Sequence, residues 1–274
     1  LYNSNKKKQA KKSLVEYLIK FPDDQNFIKA NFYLSKIFIE EEDFERALEK
    51  LMKISNLPSN EYSEEILYNL VTILKKTNRF DEVEKYLLTL ERLSQTKSIK
   101  SFVNVNLMLL YFKKLSYDKS IFYAQKNLID ELVDVKTKNK SKYILAKSYQ
   151  NLKNYKKADV FYEELTNSLT DSIAIEALFY KAKRSNEFND YKQSNKLIEE
   201  ISTKYKSIPK WSAKSILLMS DNFYKMNDPF QSIFLLETLI NNFSDNKTIV
   251  NQAKVKLKEI KSIESLNNSS INEN

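Results

Sequence analysis

The stretch "NYKKADVFYEEL", residues 154–165, decides the fold because a weakened copy of it returns along the whole chain. An aromatic precedes a small residue by three, and large apolar residues follow at helical spacing. The copies are "DFERA" at 43–47, "RFDEV" at 79–83, "SYDKS" at 116–120, "DYKQS" at 190–194 and "DPFQS" at 228–232. Their anchors Phe44, Phe80, Tyr117, Tyr155, Tyr191 and Pro229 lie 36, 37, 38, 36 and 38 residues apart. A period in this range is the signature of stacked helix pairs.

Each period holds two amphipathic segments. In the fourth, the first helix carries Leu145, Ala146 and Tyr149, and the second carries Ala158, Tyr162 and Leu165. The same positions elsewhere hold Leu34, Ser35 and Phe38 with Ala47, Leu51 and Ile54, then Leu70, Val71 and Leu74 with Val83, Leu87 and Leu90. Such spacing places all of them on one helix face. Because a single pair cannot hide its own apolar stripe, neighbours must stack.

Composition agrees. The 274 residues include no Gly and four Pro, while 30% are charged and 42% hydrophobic. An average chain carries about 7% Gly and 5% Pro. Sheet-rich folds and phosphate-cradling loops draw on Gly for positive φ and close backbone approach, so both are disfavoured. The absence of Cys and His removes disulfides, thiolate metal sites, most zinc sites and His-based catalytic triads. No metal, cofactor or catalytic residue is assigned. Pairs such as Glu163 and Glu164 sit on exposed faces, with no shelter that would raise a carboxylate pKa. The formal charge of +9 suits an acidic partner or a membrane surface, but the codon bias of an AT-rich genome, which favours Lys, Asn and Ile, is the preferred reading. No run approaches the roughly 20 apolar residues of a membrane helix.

The spacing of "LAKSY" and "ADVFY", with Ala158 nine residues after Tyr149, resembles the tetratricopeptide repeat. That resemblance implies an all-α, right-handed α-solenoid of tetratricopeptide-like helix hairpins. The expected layout is helix B of a truncated repeat at 1–24, then six repeats within 28–246. Their bounds are 28–61, 64–97, 101–134, 139–172, 175–208 and 213–246, followed by a capping helix at 247–263 and a disordered tail at 264–274. The family's turn Gly is replaced by Asn78, Asn189 and Asn227, which tolerate left-handed backbone. The chain opens on Leu1 in the middle of a repeat, so a preceding segment is expected.

In the resembling superhelices the fifth and ninth positions of each first helix face a concave groove. Here the fifth positions hold Phe32, Tyr68, Val105, Tyr143, Phe179 and Leu217, and the ninth hold Lys36, Thr72, Leu109, Lys147, Lys183 and Asp221. Of these, Phe32, Lys36, Tyr68, Tyr143, Lys147, Phe179 and Lys183 are the expected partner-binding residues. An apolar column beside a partly cationic one suits a peptide or protein partner of acidic and apolar character. Equally, neighbouring helices and long Lys stems could cover these side chains. The Lys-Asn pair that clamps an acidic chaperone tail occurs in no repeat. Residues 136–157 carry eight Lys and no acid, interleaved with Tyr143, Tyr149 and Tyr155. Those are ingredients of single-strand nucleic-acid binding. They also describe a solvated cationic face, which is the preferred reading.

The segment around Trp211, with Asp221, Asp228, Phe230 and Gln231, resembles the closing repeat of long cell-envelope tetratricopeptide proteins of Bacteroidota. For Trp211 itself, a plug between the fifth and sixth repeats is the preferred role. The resemblance implies a non-enzymatic interaction scaffold in an envelope complex, periplasmic or outer-membrane-associated, with a cytoplasmic location left open. The alternatives are a basic nucleic-acid-binding repeat protein and a regulatory domain of a larger chain.

Overall fold

The period-3.6 apolar spacing forms helices at every place where it occurs. The computed structural model describes residues 6–168, 172–204 and 209–272. Among the described residues there are fourteen α-helices and no strand. They are α1 (Lys7–Lys20), α2 (Phe27–Glu40), α3 (Phe44–Ser55), α4 (Ser63–Lys76), α5 (Phe80–Leu93), α6 (Lys97–Lys113) and α7 (Tyr117–Ile129). Then follow α8 (Val135–Asn151), α9 (Tyr155–Ser168), α10 (Ser172–Glu187), α11 (Tyr191–Lys204), α12 (Pro209–Lys225), α13 (Pro229–Asn242) and α14 (Lys247–Asn272). The anchors Phe44, Phe80, Tyr117, Tyr155, Tyr191 and Pro229 are the first residues of α3, α5, α7, α9, α11 and α13.

One turn motif joins all six hairpins. Glu42, Asn78, Leu115, Lys153, Asn189 and Asn227 each adopt φ between 58° and 63°. The next residue's amide closes the preceding helix on the carbonyl five positions back. These bonds run Asp43 to Phe38, Arg79 to Leu74, Ser116 to Tyr111, Asn154 to Tyr149, Asp190 to Ser185 and Asp228 to Phe223, at 2.8–2.9 Å. This geometry is the Schellman closure, which usually employs Gly at its left-handed residue. The Asn substitutions accommodate it as expected, while Glu42, Leu115 and Lys153 adopt it with no such help. Asp43 and Asp228 then cap the following helix, accepting from the amides of Arg46 and Gln231. Pro229 at the first helical position loses no hydrogen bond there.

The chain divides within α8 into two compact units, residues 1–144 and 145–274. In the first, each helix from α1 to α7 packs on the next. Leu34, Ser35 and Phe38 of α2 and Ala47, Leu51 and Ile54 of α3 are all buried in its core. In the second, α9 through α14 pack in succession, and α10, α12 and α14 also touch one another in order. Ala158, Tyr162 and Leu165 are wholly buried there.

The C-terminal boundary differs from the sequence expectation. Helix α14 runs past Ile263 to Asn272, where a disordered tail was expected from 264. No Gly or Pro interrupts residues 264–272, and an established helix propagates with one new hydrogen bond per residue even where composition is polar. Residues 273–274 of that tail, and residues 1–5 of the half-repeat, lie outside the described residues.

Candidate functional site

The seven residues expected on the concave face meet different fates. Phe32 is a correction: it is only 2% exposed, and its ring packs on Tyr62 with centroids 4.8 Å apart. Tyr62 immediately precedes α4, so the aromatic fills the junction between consecutive hairpins instead of lining a surface. Tyr68 repeats the arrangement with Phe102 of α6 at 4.6 Å, and Phe179 repeats it with Trp211 of α12 at 5.4 Å. Trp211 also packs against the buried cluster of Ile175, Leu178 and Ala182, so it does fill a junction between hairpins.

The cationic column is partly spent on the same junctions. Lys36 donates to Glu65 and Lys147 to Glu176, each at 2.9 Å and each to the next hairpin's first helix. Tyr143 is half-buried, with the Lys140 ammonium 5.0 Å from its ring centroid. In the basic stretch 136–157, protein cations already cover the aromatic faces. Lys157 lies over Tyr149, and Arg184 lies 4.3 Å from the centroid of Tyr155. Base stacking needs those faces open. Glu163, of the acidic pair, is held in an ion pair with Lys181.

Phe179 and Lys183 are brought together, in the second unit. They line an open groove of about 690 Å³ formed by α10, α12 and α14. Its apolar floor is Phe179, Leu217, Leu218 and Val255, and its cations are Lys183, Lys214 and Lys256. That size falls within the range of ligand clefts. Val255 is 58% exposed, a large apolar side chain left facing solvent.

Asp221 is the one acid in the lining, and it is internally matched. Burial disfavours its charge. Hydrogen bonds from Lys256, Lys225 and Asn186 outweigh that and hold the carboxyl below its ordinary value. Lys225 stands 3.0 Å away and the Asn186 amide 3.1 Å. Behind the groove, the buried Asn222 accepts from Asn186 and donates to Ser194 and Asn195, which ties α10, α11 and α12 together. Lys256 extends the network to α14. A satisfied polar network of this kind fixes the register of the helices that carry it.

Sequence reasoning missed the α14 contribution, Asn251, Gln252, Val255 and Lys256. A signal existed. Counting α14 as the first helix of a further hairpin starting at Lys247 puts Asn251 and Val255 at its fifth and ninth positions. Its treatment as a solubilising cap concealed this.

Among the described residues, no three His, Cys, Asp or Glu gather as metal ligands. No helix among them is long and apolar enough to cross a membrane.

The family model described as tetratricopeptide repeat matches residues 140–172, the fourth hairpin. No curated protein matches the chain. In fold, the chain is similar to the C-terminal part of a tetratricopeptide repeat-containing protein of Cytophaga hutchinsonii (TM-score 0.61, 13% identity, 92% of this chain and 96% of that one). It is similar to a signal transduction ATPase with numerous domains and a tetratricopeptide repeat sensor from Pyrococcus horikoshii (TM-score 0.59, 12% identity, 94% of this chain and 43% of that one). The apo quorum sensor NprR of B. thuringiensis is a third (TM-score 0.55, 16% identity, 90% of this chain and 79% of that one). Residues 140–172 are thus a tetratricopeptide repeat, and the chain has the fold of tetratricopeptide-repeat proteins.

Proposed function

We propose that this chain is a non-enzymatic scaffold whose C-terminal unit captures an acidic, apolar segment of a protein partner, and that it works within a cell-envelope assembly, in the periplasm or at the outer membrane. The observation that carries the first half is the groove of α10, α12 and α14, where three lysines stand beside an apolar floor with one aspartate among them. Apolar side chains give a docked segment its burial, and the lysines select its charge and speed its approach. The fold supports protein partners in general. The envelope half rests on the closing segment, with Trp211, Asp221, Asp228, Phe230 and Gln231 at the positions named above.

The test is to purify the tagged chain and a Leu217→Asp, Val255→Asp variant from the native organism. Proteins that co-elute with the wild type and vanish with the variant support the groove, and an unchanged set overturns it. Cell fractionation tests the second half independently, since a chain found only in the cytoplasm removes the envelope assignment and leaves the scaffold.

A further inference from the structure

The loop between α7 and α8 has the chemistry that the groove selects. Residues 129–135 read "IDELVDV", with three acids and no base, in a chain of formal charge +9. Three of its apolar side chains are turned outward: Ile129 is 83% exposed, Leu132 58% and Val135 74%. Exposed apolar clusters of this kind mark interaction sites.

The loop is also held in one shape. Asp130 accepts from the Ser101 hydroxyl and the Leu132 amide, and the buried Val133 anchors the centre. Asp134 accepts from both the amide and the hydroxyl of Thr137. These bonds keep the Asp134 carboxyl below its ordinary value. A preformed segment loses less entropy on docking than a flexible one.

We propose that the groove of α10, α12 and α14 receives residues 129–135 of a second copy of this chain. The inference rests on the reading of the groove as a peptide site, and it names the partner. Ile129, Leu132 and Val135 cover the floor of Phe179, Leu217, Leu218 and Val255, while Asp130, Glu131 and Asp134 meet Lys183, Lys214 and Lys256. The two surfaces belong to different parts of the chain, so the contact is heterologous and links copies head to tail.

Sedimentation velocity of the full chain over a concentration series tests this. The wild type grows in mass with concentration, and raised salt weakens the association. Leu132→Asp removes the loop and Val255→Asp the groove, and each variant alone associates at least tenfold more weakly. Both positions are exposed, so folding is preserved, with Ile129→Ser as a second loop variant checked by circular dichroism. Mixing the two variants restores one intact contact per pair and yields a dimer that grows no further. A wild type that stays monomeric, or variants that associate as it does, overturns the proposal.

A synthetic peptide of residues 127–137 supplies the second readout. Trp211 is the only tryptophan and touches Phe179, so its fluorescence should shift with the peptide in the wild type and not in Val255→Asp. If this peptide fails while other acidic, apolar peptides bind in a Val255-dependent way, self-association falls and the scaffold reading stands. If none binds and groove changes alter no partner capture, both fall.

Discussion

Lys36 and Glu65, 29 residues apart, join the first helices of two consecutive hairpins by a 2.9 Å hydrogen bond. Lys147 and Glu176 repeat the bond at the same separation and distance. The ties span junctions near the surface, where such pairs contribute about 0.2–1 kcal/mol. A double-mutant cycle with Lys36→Ala and Glu65→Ala should return a coupling in that range that shrinks in about 0.5 M salt. Partner capture by the C-terminal groove should be unaffected.

Burial separates two aromatics that share a repeat position. Phe32→Ala removes a ring that is 2% exposed and should cost about 3–5 kcal/mol in urea unfolding. Phe179 is half-buried at the groove, so Phe179→Ala should cost less stability and more partner affinity. Equal losses of stability would show that the Phe179 ring serves only the core.

Left-handed turns without Gly leave stability to be gained. A residue with a Cβ at such a φ is less stable by about 1–2 kcal/mol, and Gly escapes this at some entropic expense. Leu115, at φ 58°, is 67% exposed, so it gives up little packing. Leu115→Gly should raise stability by about 1 kcal/mol in thermal melts. Asn189→Gly should gain less, because Asn already tolerates the region.

Acid should loosen the attachment of α14. The folded carboxyl of Asp221 is depressed from its unfolded value of 3.8, so its stabilisation is present above that value. The stabilisation is lost as pH falls through the lower, folded value. Far-UV dichroism and Trp211 emission followed from pH 7 downward should show a transition below pH 3.8. In Lys256→Met, which removes one of the ion pairs holding Asp221, the folded value lies closer to the unfolded one, so that loss should be smaller and complete at higher pH.

The hairpins themselves were legible because their determinants lie within one repeat. The step from Tyr155 to Ala158, the buried Leu165 and the Asn turns all act over a few residues, and each behaves as its spacing implies. Phe32, Lys36 and Lys147 were not legible for a complementary reason. Their partners Tyr62, Glu65 and Glu176 stand roughly thirty positions further on, and a pattern within one helix cannot announce them. The groove falls between these cases. Phe179 and Lys183 were found by register, while Val255 was hidden by treating α14 as an end instead of a continuation.

A stack of hairpins whose stability is carried by neighbours can open one element at a time. The amides of Ser116 and Asn154 follow left-handed Leu115 and Lys153, whereas those of Asp190 and Asp228 follow Asn. Proton exchange would therefore read out stored strain along the chain, fastest where a bulky side chain sits at the bend and slowest where an amide side chain eases it.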